Sequence, residues 1–329
     1  MSVTARRHTV SVVMPVHNGV QYLRRSLPPL LSHQGARPLD VLVVDDGSTD
    51  GSAAFAREAG ARVISNPAPL GPAAARNIAV GEARGEILLF VDADVVVHDD
   101  TVGQMGLAFS DPDVVAVFGS YDDQPPDPRF ASRYMNLRHH AGHQHPSEDA
   151  QTFWAGLGAV RRQAFLAVRG FDAERYTTPS IEDIDLGRRL RAAGGRIRRL
   201  PGIQGTHLKR WSLGGVIRTD IFARGVPWTR LMLEHPGAFG DLNVGPGERL
   251  KAVLALALAT SGVAAVAGLC PVWVPLVLLA GSVVAHRRLL ALFRRSGGWW
   301  LASRGLLFHQ LYYLYSSAVY IVGSVRHRL

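Results

Sequence analysis

The sequence has a single cysteine, and its C-terminal tail is nearly devoid of acidic residues. The one cysteine, Cys270, excludes an internal disulfide framework and a cysteine-based zinc site. In the tail, residues 245–329, Glu248 is the only acidic residue against nine Lys and Arg. Residues 252–285 contain no Asp, Glu, Lys, Arg or His over 34 positions. Since one membrane span needs about 20 residues, this uncharged run predicts membrane helices.

The rest of the composition describes a folded chain of one large or two ordinary domains. Hydrophobic residues make up 47% of the 329 residues and charged residues only 19%, which excludes low-complexity disorder. The formal net charge is +9, but residues 1–244 contain 27 basic and 26 acidic residues. This near-neutral part lacks the basic excess that nucleic acid binding needs. The basic, apolar tail instead predicts a phospholipid membrane as partner.

The uncharged run is too long for one upright helix and predicts a hairpin of two helices, about residues 252–285, that meet near Cys270. Basic residues flank both ends of the run, for example Lys251 and Arg287, so both ends are expected on the cytoplasmic side. A further stretch, residues 305–325, fits either a third span or an interfacial helix, and the interfacial helix is preferred. The sequence therefore predicts residues 1–244 as a cytoplasmic domain and residues 245–329 as a multi-pass region of the plasma membrane.

The first half of the chain alternates strand-like and helix-like segments. Apolar runs at residues 10–16, 41–44 and 86–91 alternate with helical periodicity, for example at residues 72–84. This alternation predicts βαβ units and a mostly parallel sheet. A long loop is expected from residue 119 to residue 148 because of its prolines. Its histidines are interpreted as part of a solvated loop over a pocket, with a second metal site as the alternative: His139, His140, His143 and His145.

Polar side chains follow two of the predicted strands at the point where each ends. Asp45 and Asp46 follow the second strand, and Asp92 and Asp94 follow the fourth. Ligands of open α/β sheets bind outside the carboxyl ends of the strands, and residues two apart share a side. Asp92 and Asp94 therefore suit Mg²⁺ or Mn²⁺ on a diphosphate. Ordinary turn and strand-end chemistry remains the alternative at both places.

A second acidic group, Glu182 and Asp183, stands at a predicted helix start. Carboxylates are common in a first helical turn, where the helix dipole stabilises them. Asp183 could also act as a general base on an acceptor hydroxyl. Downstream, His207 could be a neutral imidazole metal ligand or a structural histidine.

Five stretches and one histidine follow one another at characteristic spacings within about residues 8–210. They are SVVMPVHNG (11–19), VLVVDDGSTDGS (41–52), GPAAARNIAVGEARGEILLFVDADV (71–95), GFDAERY (170–176), EDIDLGRRLRAAGGRI (182–197) and His207. Together they resemble glycosyltransferase family 2, the inverting, sugar-nucleotide-dependent transferases of GT-A fold. The resemblance implies an α/β, Rossmann-like GT-A domain with a mostly parallel sheet, followed by C-terminal transmembrane helices.

The resemblance also implies a role for each matching position. Asp183 would be the catalytic base, and Asp94 and His207 would bind Mg²⁺ or Mn²⁺. Asp92 is a further candidate metal ligand. The implied nucleotide-sugar pocket consists of Pro15, Val16, His17, Asn18, Asp46, Arg76, Asp92, Ala93 and Asp94. The implied acceptor side consists of Trp154, Gly156, Glu182, Lys209 and Trp211.

The implied reaction is the transfer of one sugar from a nucleoside diphosphate sugar to a lipid-linked or membrane-proximal hydroxyl, in glycolipid or cell-envelope polysaccharide synthesis. Processive synthases of this superfamily carry a Q-x-x-R-W type motif, of which only Lys209-Arg210-Trp211 is present. We therefore expect a non-processive enzyme. Two alternatives remain open: a polyprenyl-phosphate glycosyltransferase, whose acceptor phosphate needs no base, and a non-catalytic membrane scaffold that binds nucleotide sugars.

Overall fold

A computed structural model describes residues 8–32, 39–144, 147–239 and 245–328, and it divides them into two compact units. The first unit comprises residues 8–126 and 143–209, and the second comprises residues 127–142 and 210–328. The predicted border between residues 244 and 245 lies inside the second unit. The reason is that residues 127–142 and 210–239 pack with the tail helices rather than with the sheet.

The first unit contains a sheet whose strands alternate with helices in its N-terminal half. The strands are β1 (Val10–Val16), β2 (Asp40–Asp46), β3 (Arg62–Asn66), β4 (Ile87–Val91), β5 (Val95–Val97), β6 (Val114–Tyr121), β7 (Asp149–Ala150), β8 (Leu157–Arg161) and β9 (Arg196–His207). The helices are α1 (Val20–Ser32), α2 (Ser52–Glu58), α3 (Pro72–Glu82), α4 (Thr101–Leu107), a 3₁₀ turn (Ala108–Ser110), α6 (Arg162–Ala167) and α7 (Glu182–Ala192).

The strands predicted from apolar runs are present where expected. All five residues of β4 are buried, as in a strand covered on both faces, and six of the seven residues of β2 are buried. Helix α3 begins with Pro72 in its first turn, where the missing N–H costs nothing. These elements place the carboxyl ends of β1, β2 and β4 side by side.

The prediction of a mostly parallel sheet is correct for only half of it. The strand order is β3-β2-β1-β4-β8-β6-β9-β5, with β7 paired to β9. Strands β3, β2, β1 and β4 are parallel, whereas β8 runs antiparallel to both β4 and β6. Parallel pairs need a crossover connection, usually helical. Strand β8 instead follows the irregular residues 151–156, so it can enter in the opposite direction and the sheet is mixed.

The expected loop from residue 119 to residue 148 is wrong for most of its length. Strand β6 continues to Tyr121, and helix α5 spans Phe130–His143. Three of the four prolines that suggest a loop, Pro125, Pro126 and Pro128, lie before this helix. Its buried side chains, such as Tyr134 and Leu137, join an apolar core of the second unit. The histidines at 139, 140 and 143 are therefore helical, and His145 lies outside the described residues.

The second unit is helical. Besides α5 it contains α8 (Leu213–Arg218), a π-helical segment (Thr219–Gly225), α9 (Val226–Glu234), α10 (Pro246–Val266), α11 (Trp273–Ala285) and α12 (Arg287–Arg328). Helix α12 is interrupted by non-helical dihedral angles at Gly297 and Gly298.

The two helices predicted to meet near Cys270 are present as α10 and α11. By length and composition α10 is the one described helix that could cross a membrane alone. Helix α11 reaches that length only together with α12, from which it is bent by 75°. Residues 305–325 are helical within α12. Placement of these helices in a membrane stays a prediction.

Candidate active site

A buried arginine joins the acidic end of β4 to the acidic start of α7. Arg76, on α3, donates from Nη2 to Asp92 Oδ1 at 2.7 Å and from Nη1 to Glu182 Oε1 at 2.9 Å. The arginine is only 4% exposed. The pKa of Asp92 is raised by burial, although Arg76 partly offsets this effect. The structure therefore brings together two acidic groups that are 90 positions apart in the sequence.

The next residue, Asp183, is a half-buried carboxylate with two backbone donors. Its Oδ2 accepts from the Ala155 N–H at 3.0 Å, and its Oδ1 accepts from the Ile184 N–H at 2.8 Å. Burial and the negative charge of Glu182 raise the pKa of Asp183 to about 7, against the opposing effects of these N–H groups and Arg76. At neutral pH this carboxyl can therefore both take up and release a proton.

Asp94, which directly precedes β5, lies beside His207, the last residue of the antiparallel strand β9. His207 Nε2 lies 3.5 Å from Asp94 Oδ2, and the Leu208 N–H donates to the Asp94 carbonyl at 2.8 Å. Burial raises the pKa of Asp94, but His207 and Lys209 outweigh it and bring the pKa below its ordinary value. Asp94 is thus held ionised next to an imidazole.

Two aromatic rings connect His207 back to Asp183. The ring of Tyr121 stacks on His207 with centroids 4.2 Å apart and planes within 5°, and Trp154 meets Tyr121 edge-on at 4.7 Å. Trp154 directly precedes Ala155, whose N–H binds Asp183. The contacts therefore form a closed loop that leads from Asp92 to Asp183 and back through His207 to Asp94. We call this set of residues the carboxylate ring. It consists of Arg76, Asp92, Asp94, Tyr121, Trp154, Ala155, Glu182, Asp183 and His207.

Asp46, at the end of β2, holds the segment that leads into α3. Its carboxylate accepts from Asn66 Nδ2 at 2.8 Å, from the Leu70 N–H at 2.9 Å and from the Gly71 N–H at 2.8 Å. Gly71 has a φ of 90°, and a Cβ there would lie 2.2 Å from the Thr177 carbonyl oxygen, so only glycine fits. The Asp46 carboxylate thereby positions the start of the helix that carries Arg76.

The remaining residues predicted for the nucleoside lie at the neighbouring end of β1. His17 Nδ1 donates to the Asp46 carbonyl at 2.7 Å, and Asn18, with a φ of 50°, accepts at its Oδ1 from the Thr49 N–H at 2.8 Å. Pro15 and Val16 are the last residues of β1. The structure thus brings the predicted β1 and β2 residues together at one sheet edge.

The residues predicted for the acceptor side are distributed between the two units. Trp154 and Glu182 belong to the carboxylate ring, and Gly156 is required beside Trp154, because a Cβ there would lie 2.6 Å from the indole. Lys209 is exposed and contributes to the low pKa of Asp94. Trp211, however, is buried in the apolar core of the second unit, outside the carboxylate ring.

Three contributors were absent from the sequence prediction: Tyr121, Asn66 and Gly71. Tyr121 was missed because residue 119 onwards was read as a loop, although the run VVAVFGSY of β6 is a strand signal. Asn66 is the last residue of the short strand β3. The close approach of Gly71 to Thr177 has no local sequence signal.

The carboxylate ring contains side chains of the kind that bind divalent cations. It has four carboxylates, those of Asp92, Asp94, Glu182 and Asp183, against the buried Arg76 and the exposed Lys209, so negative charges and hard oxygen donors are in excess. The described residues contain no group of three or more His, Cys, Asp or Glu placed to hold a metal on their own. Asp94 and His207 offer two possible ligands, so a cation bound there would need further ligands from a bound molecule.

The mixed α/β sheet is that of a GT-A fold, and comparison with known proteins gives the family. Residues 11–169 match the glycosyl transferase family 2 model, and residues 136–210 match the model described as the N-terminal domain of galactosyltransferase. The chain therefore carries a glycosyltransferase family 2 domain, as the motifs predicted.

Similar proteins and structures agree with this assignment. The pre-mycofactocin glycosyltransferase of Mycobacterium tuberculosis is 29% identical over 254 residues, covering 74% of this chain and 52% of that protein. The chain thus spans about half the length of that curated relative. The mannosyltransferase PcManGT of Pyrobaculum calidifontis, solved with GDP-Man and Mn²⁺, has a TM-score of 0.65 at 23% identity, covering 96% of this chain and 88% of that one.

A second solved structure, residues 1–349 of S. aureus TarS with UDP-GlcNAc, has a TM-score of 0.51 at 18% identity. It covers 75% of this chain and 71% of that one. At these identities the two structural likenesses establish the fold alone. They place the chain among proteins with a GT-A sheet.

Proposed function

We propose that the chain is a metal-dependent inverting glycosyltransferase that moves one sugar from a nucleoside diphosphate sugar to a lipid-linked or membrane-proximal hydroxyl. The products would be glycolipids or cell-envelope polysaccharides. The observation that carries this proposal is Asp183, a half-buried carboxylate with a pKa of about 7, held within one network with Asp92 and Asp94.

Asp183 is proposed as the general base. Its two backbone donors fix the carboxylate while leaving lone pairs on both oxygens, so it can accept the proton of an attacking hydroxyl. A pKa near the working pH favours such a transfer. One attack on the anomeric carbon, opposite the leaving diphosphate, inverts that carbon and needs no covalent sugar intermediate.

Asp94 and His207 are proposed to hold Mg²⁺ or Mn²⁺, with Asp92 as a further ligand. When bound, the metal neutralises charge on the leaving nucleoside diphosphate. Arg76 keeps Asp92 and Glu182 in place, and the ring of Tyr121 fixes the orientation of His207. The Mn²⁺ in the PcManGT complex supports this proposal.

The donor pocket is proposed at the ends of β1 and β2. Pro15, Val16, His17 and Asn18 would line the nucleoside, and Asp46 would both accept from the base and hold the start of α3. The Asp46 carboxylate already accepts three hydrogen bonds, which leaves about one of its four lone-pair sites for a ligand. Ala93 lies between the two carboxylates of the β4 end, and Trp154 and Gly156 would face the acceptor.

The tail is proposed to anchor the chain in the plasma membrane as a hairpin of α10 and α11, with the catalytic unit in the cytoplasm. Within α10 only Ala255 is buried, and large apolar side chains such as Val263 and Leu276 are exposed in the unit itself. Arginines beyond both ends of the pair favour the cytoplasmic side. Such an anchor brings the active site to lipid-linked acceptors.

The test is donor turnover by the purified full chain, with a panel of nucleoside diphosphate sugars in the presence of Mn²⁺ or Mg²⁺. We expect turnover with at least one donor, a loss of about 100-fold or more in Asp94→Ala, and a loss of about 10²–10⁴-fold in Asp183→Asn. The exposed Asp99→Asn is the control and should retain wild-type activity.

Two other outcomes identify the alternatives. Full activity of Asp183→Asn would mean that no base is needed, and would favour a phosphate acceptor such as a polyprenyl phosphate. Donor binding without metal-dependent turnover across the whole panel would contradict catalysis and favour a nucleotide-sugar-binding scaffold.

A further inference from the structure

Helix α12 is broken directly before two exposed tryptophans. The break consists of Gly297 (φ −154°, ψ 23°) and Gly298 (φ 70°, ψ −171°). Trp299 and Trp300 follow directly, and each is 73% exposed. We call this region the elbow and define its exposed residues as Arg287, Arg288, Arg294, Arg295, Trp299, Trp300, Ser303 and Arg304.

The opposite face of the same helix is firmly packed. Phe293 and Leu301 are buried in the apolar core of the second unit, and Gly305 lies against the Phe293 ring, where a Cβ would approach to 2.5 Å. The exposure of Trp299 and Trp300 therefore does not reflect a loose helix. The packed face fixes the direction in which both indoles point.

The charges of the elbow are of one sign. The guanidinium of Arg294 lies 5.0 Å from the Trp299 ring centre, and that of Arg304 lies 5.5 Å from the Trp300 ring centre. The sequence has no acidic residue after Glu248. Exposed tryptophans with adjacent arginines suit the boundary between headgroups and acyl chains, where an indole is half apolar and a guanidinium meets phosphate.

The direction of α12 agrees with this placement. It is bent by 75° from α11, the more apolar helix that precedes it. An angle of this size is expected where a helix inserted into a membrane is followed by an interfacial helix. The elbow face then lies along the bilayer surface.

We propose that the elbow is a docking surface for anionic phospholipid, with Trp299 and Trp300 at the headgroup level and the arginines on lipid phosphates. This inference rests on the proposed membrane anchor. It adds the surface that makes the chain prefer anionic over zwitterionic lipid. Each arginine near an anionic surface contributes about fivefold in lipid affinity. Loss of two arginines should therefore weaken the preference for anionic over zwitterionic lipid by about 30-fold.

The first test measures depth in the full chain reconstituted in nanodiscs of phosphatidylcholine with phosphatidylglycerol. In a Cys270→Ser background, single nitroxide labels are placed at Ser303→Cys in the elbow, at Val263→Cys in α10 and at Leu107→Cys in α4. Electron paramagnetic resonance then compares their accessibility to oxygen and to a water-soluble nickel chelate. We expect Val263 to be deep, Leu107 to be aqueous and Ser303 to lie between them.

Each other result overturns the inference in a recognisable way. A Ser303 label as aqueous as Leu107, with Val263 deep, leaves the membrane anchor in place and rejects the elbow. A Ser303 label as deep as Val263 reports a span. A Ser303 label shielded from both reagents reports a protein neighbour, such as a second copy. If Val263 is itself aqueous, the proposed membrane anchor fails and the elbow fails with it.

The second test measures lipid preference. Tryptophan quenching by brominated phosphatidylglycerol is compared with quenching by brominated phosphatidylcholine, and the elbow signal is taken as the difference from Trp299→Phe/Trp300→Phe. We expect the preference for phosphatidylglycerol to fall by about 30-fold in Arg294→Gln/Arg295→Gln. The exposed Arg25→Gln in the first unit is the charge control and should keep it. Equal quenching by both lipids in the unmodified elbow contradicts the proposal.

Discussion

The two units each bury an ion-pair network, and the networks differ in charge balance. In the second unit, Arg138 binds Asp220 through both Nη atoms at 2.8 and 2.6 Å, and the Tyr315 hydroxyl donates to the same carboxylate at 2.7 Å. Arg224 adds a second positive charge at 3.9 Å. In the carboxylate ring of the first unit, a single buried guanidinium serves several carboxylates.

This difference separates a structural network from a chemical one. Burial raises the pKa of Asp220, but Arg138 and Arg224 outweigh it and lower the pKa, so the pair is a closed, fully ionised contact. In the carboxylate ring, burial and the negative charge of Glu182 raise the pKa of Asp183 to about 7. We therefore expect the carboxylate ring to take part in chemistry and the Arg138 and Asp220 pair to hold helices together.

The largest effect is expected when the ion pair of the second unit is broken, and it is a loss of stability. Arg138→Leu leaves the buried Asp220 charge without its main partner, which should cost about 3–5 kcal/mol in the free energy of unfolding. Thermal unfolding of the detergent-solubilised full chain measures the loss. The double variant Arg138→Leu/Asp220→Leu removes both charges and should recover much of it. An unchanged midpoint in Arg138→Leu would show that the pair is not structural.

A smaller effect is expected where the carboxylate ring orients its histidine. Tyr121→Leu removes the ring stacked on His207 and should lower the affinity for Mn²⁺ in the presence of nucleoside diphosphate by about tenfold, since groups that orient a ligand usually contribute this much. Free Mn²⁺ measured by electron paramagnetic resonance gives the affinity. Tyr121→Phe keeps the stacked ring and should bind as the wild type does. Equal affinity in Tyr121→Leu would exclude this orienting role.

The smallest expected effect is a shift in the pH dependence of activity, which tests the influence of the Glu182 charge on the pKa of Asp183. Because the base must be deprotonated, kcat/KM should fall about tenfold per unit below pH 7 and level off above it. Glu182→Gln removes a negative charge that raises the pKa of Asp183, so its acid limb should move down by about one pH unit. The exposed Glu174→Gln should leave the profile unchanged. An unshifted limb in Glu182→Gln would reject Asp183 as the titrating group.

The same shift has a consequence for stability. The pKa of Asp183 is about 7 in the folded chain against an ordinary value of 3.8, so the folded state binds a proton that the unfolded state has released. The contribution of Asp183 to the free energy of unfolding therefore falls as the pH rises from about 4 to about 7. The pH dependence of activity below pH 7 and this loss of stability should both reflect the pKa of Asp183 in the folded state.

Much of the first unit could be predicted because its signals are local. The apolar runs of β2 and β4 and the acidic residues at their ends are contiguous in sequence, and parallel strands bring such ends to one edge. Helix α5 was missed because the prolines before it are also local signals, while the burial of Tyr134 depends on residues more than 70 positions away. The direction of β8 has no local signal either.

The sequence by itself determined the family motifs, the strand ends that carry Asp46, Asp92 and Asp94, and the separation of a near-neutral part from a basic, apolar tail. Only the tertiary structure decided how these groups act on one another. The link from Asp92 through Arg76 to Glu182, the stacking of Tyr121 on His207 and the pKa of Asp183 all depend on distances between distant segments. Composition and order are written along the chain, whereas electrostatic coupling depends on separation in space and on exclusion of water.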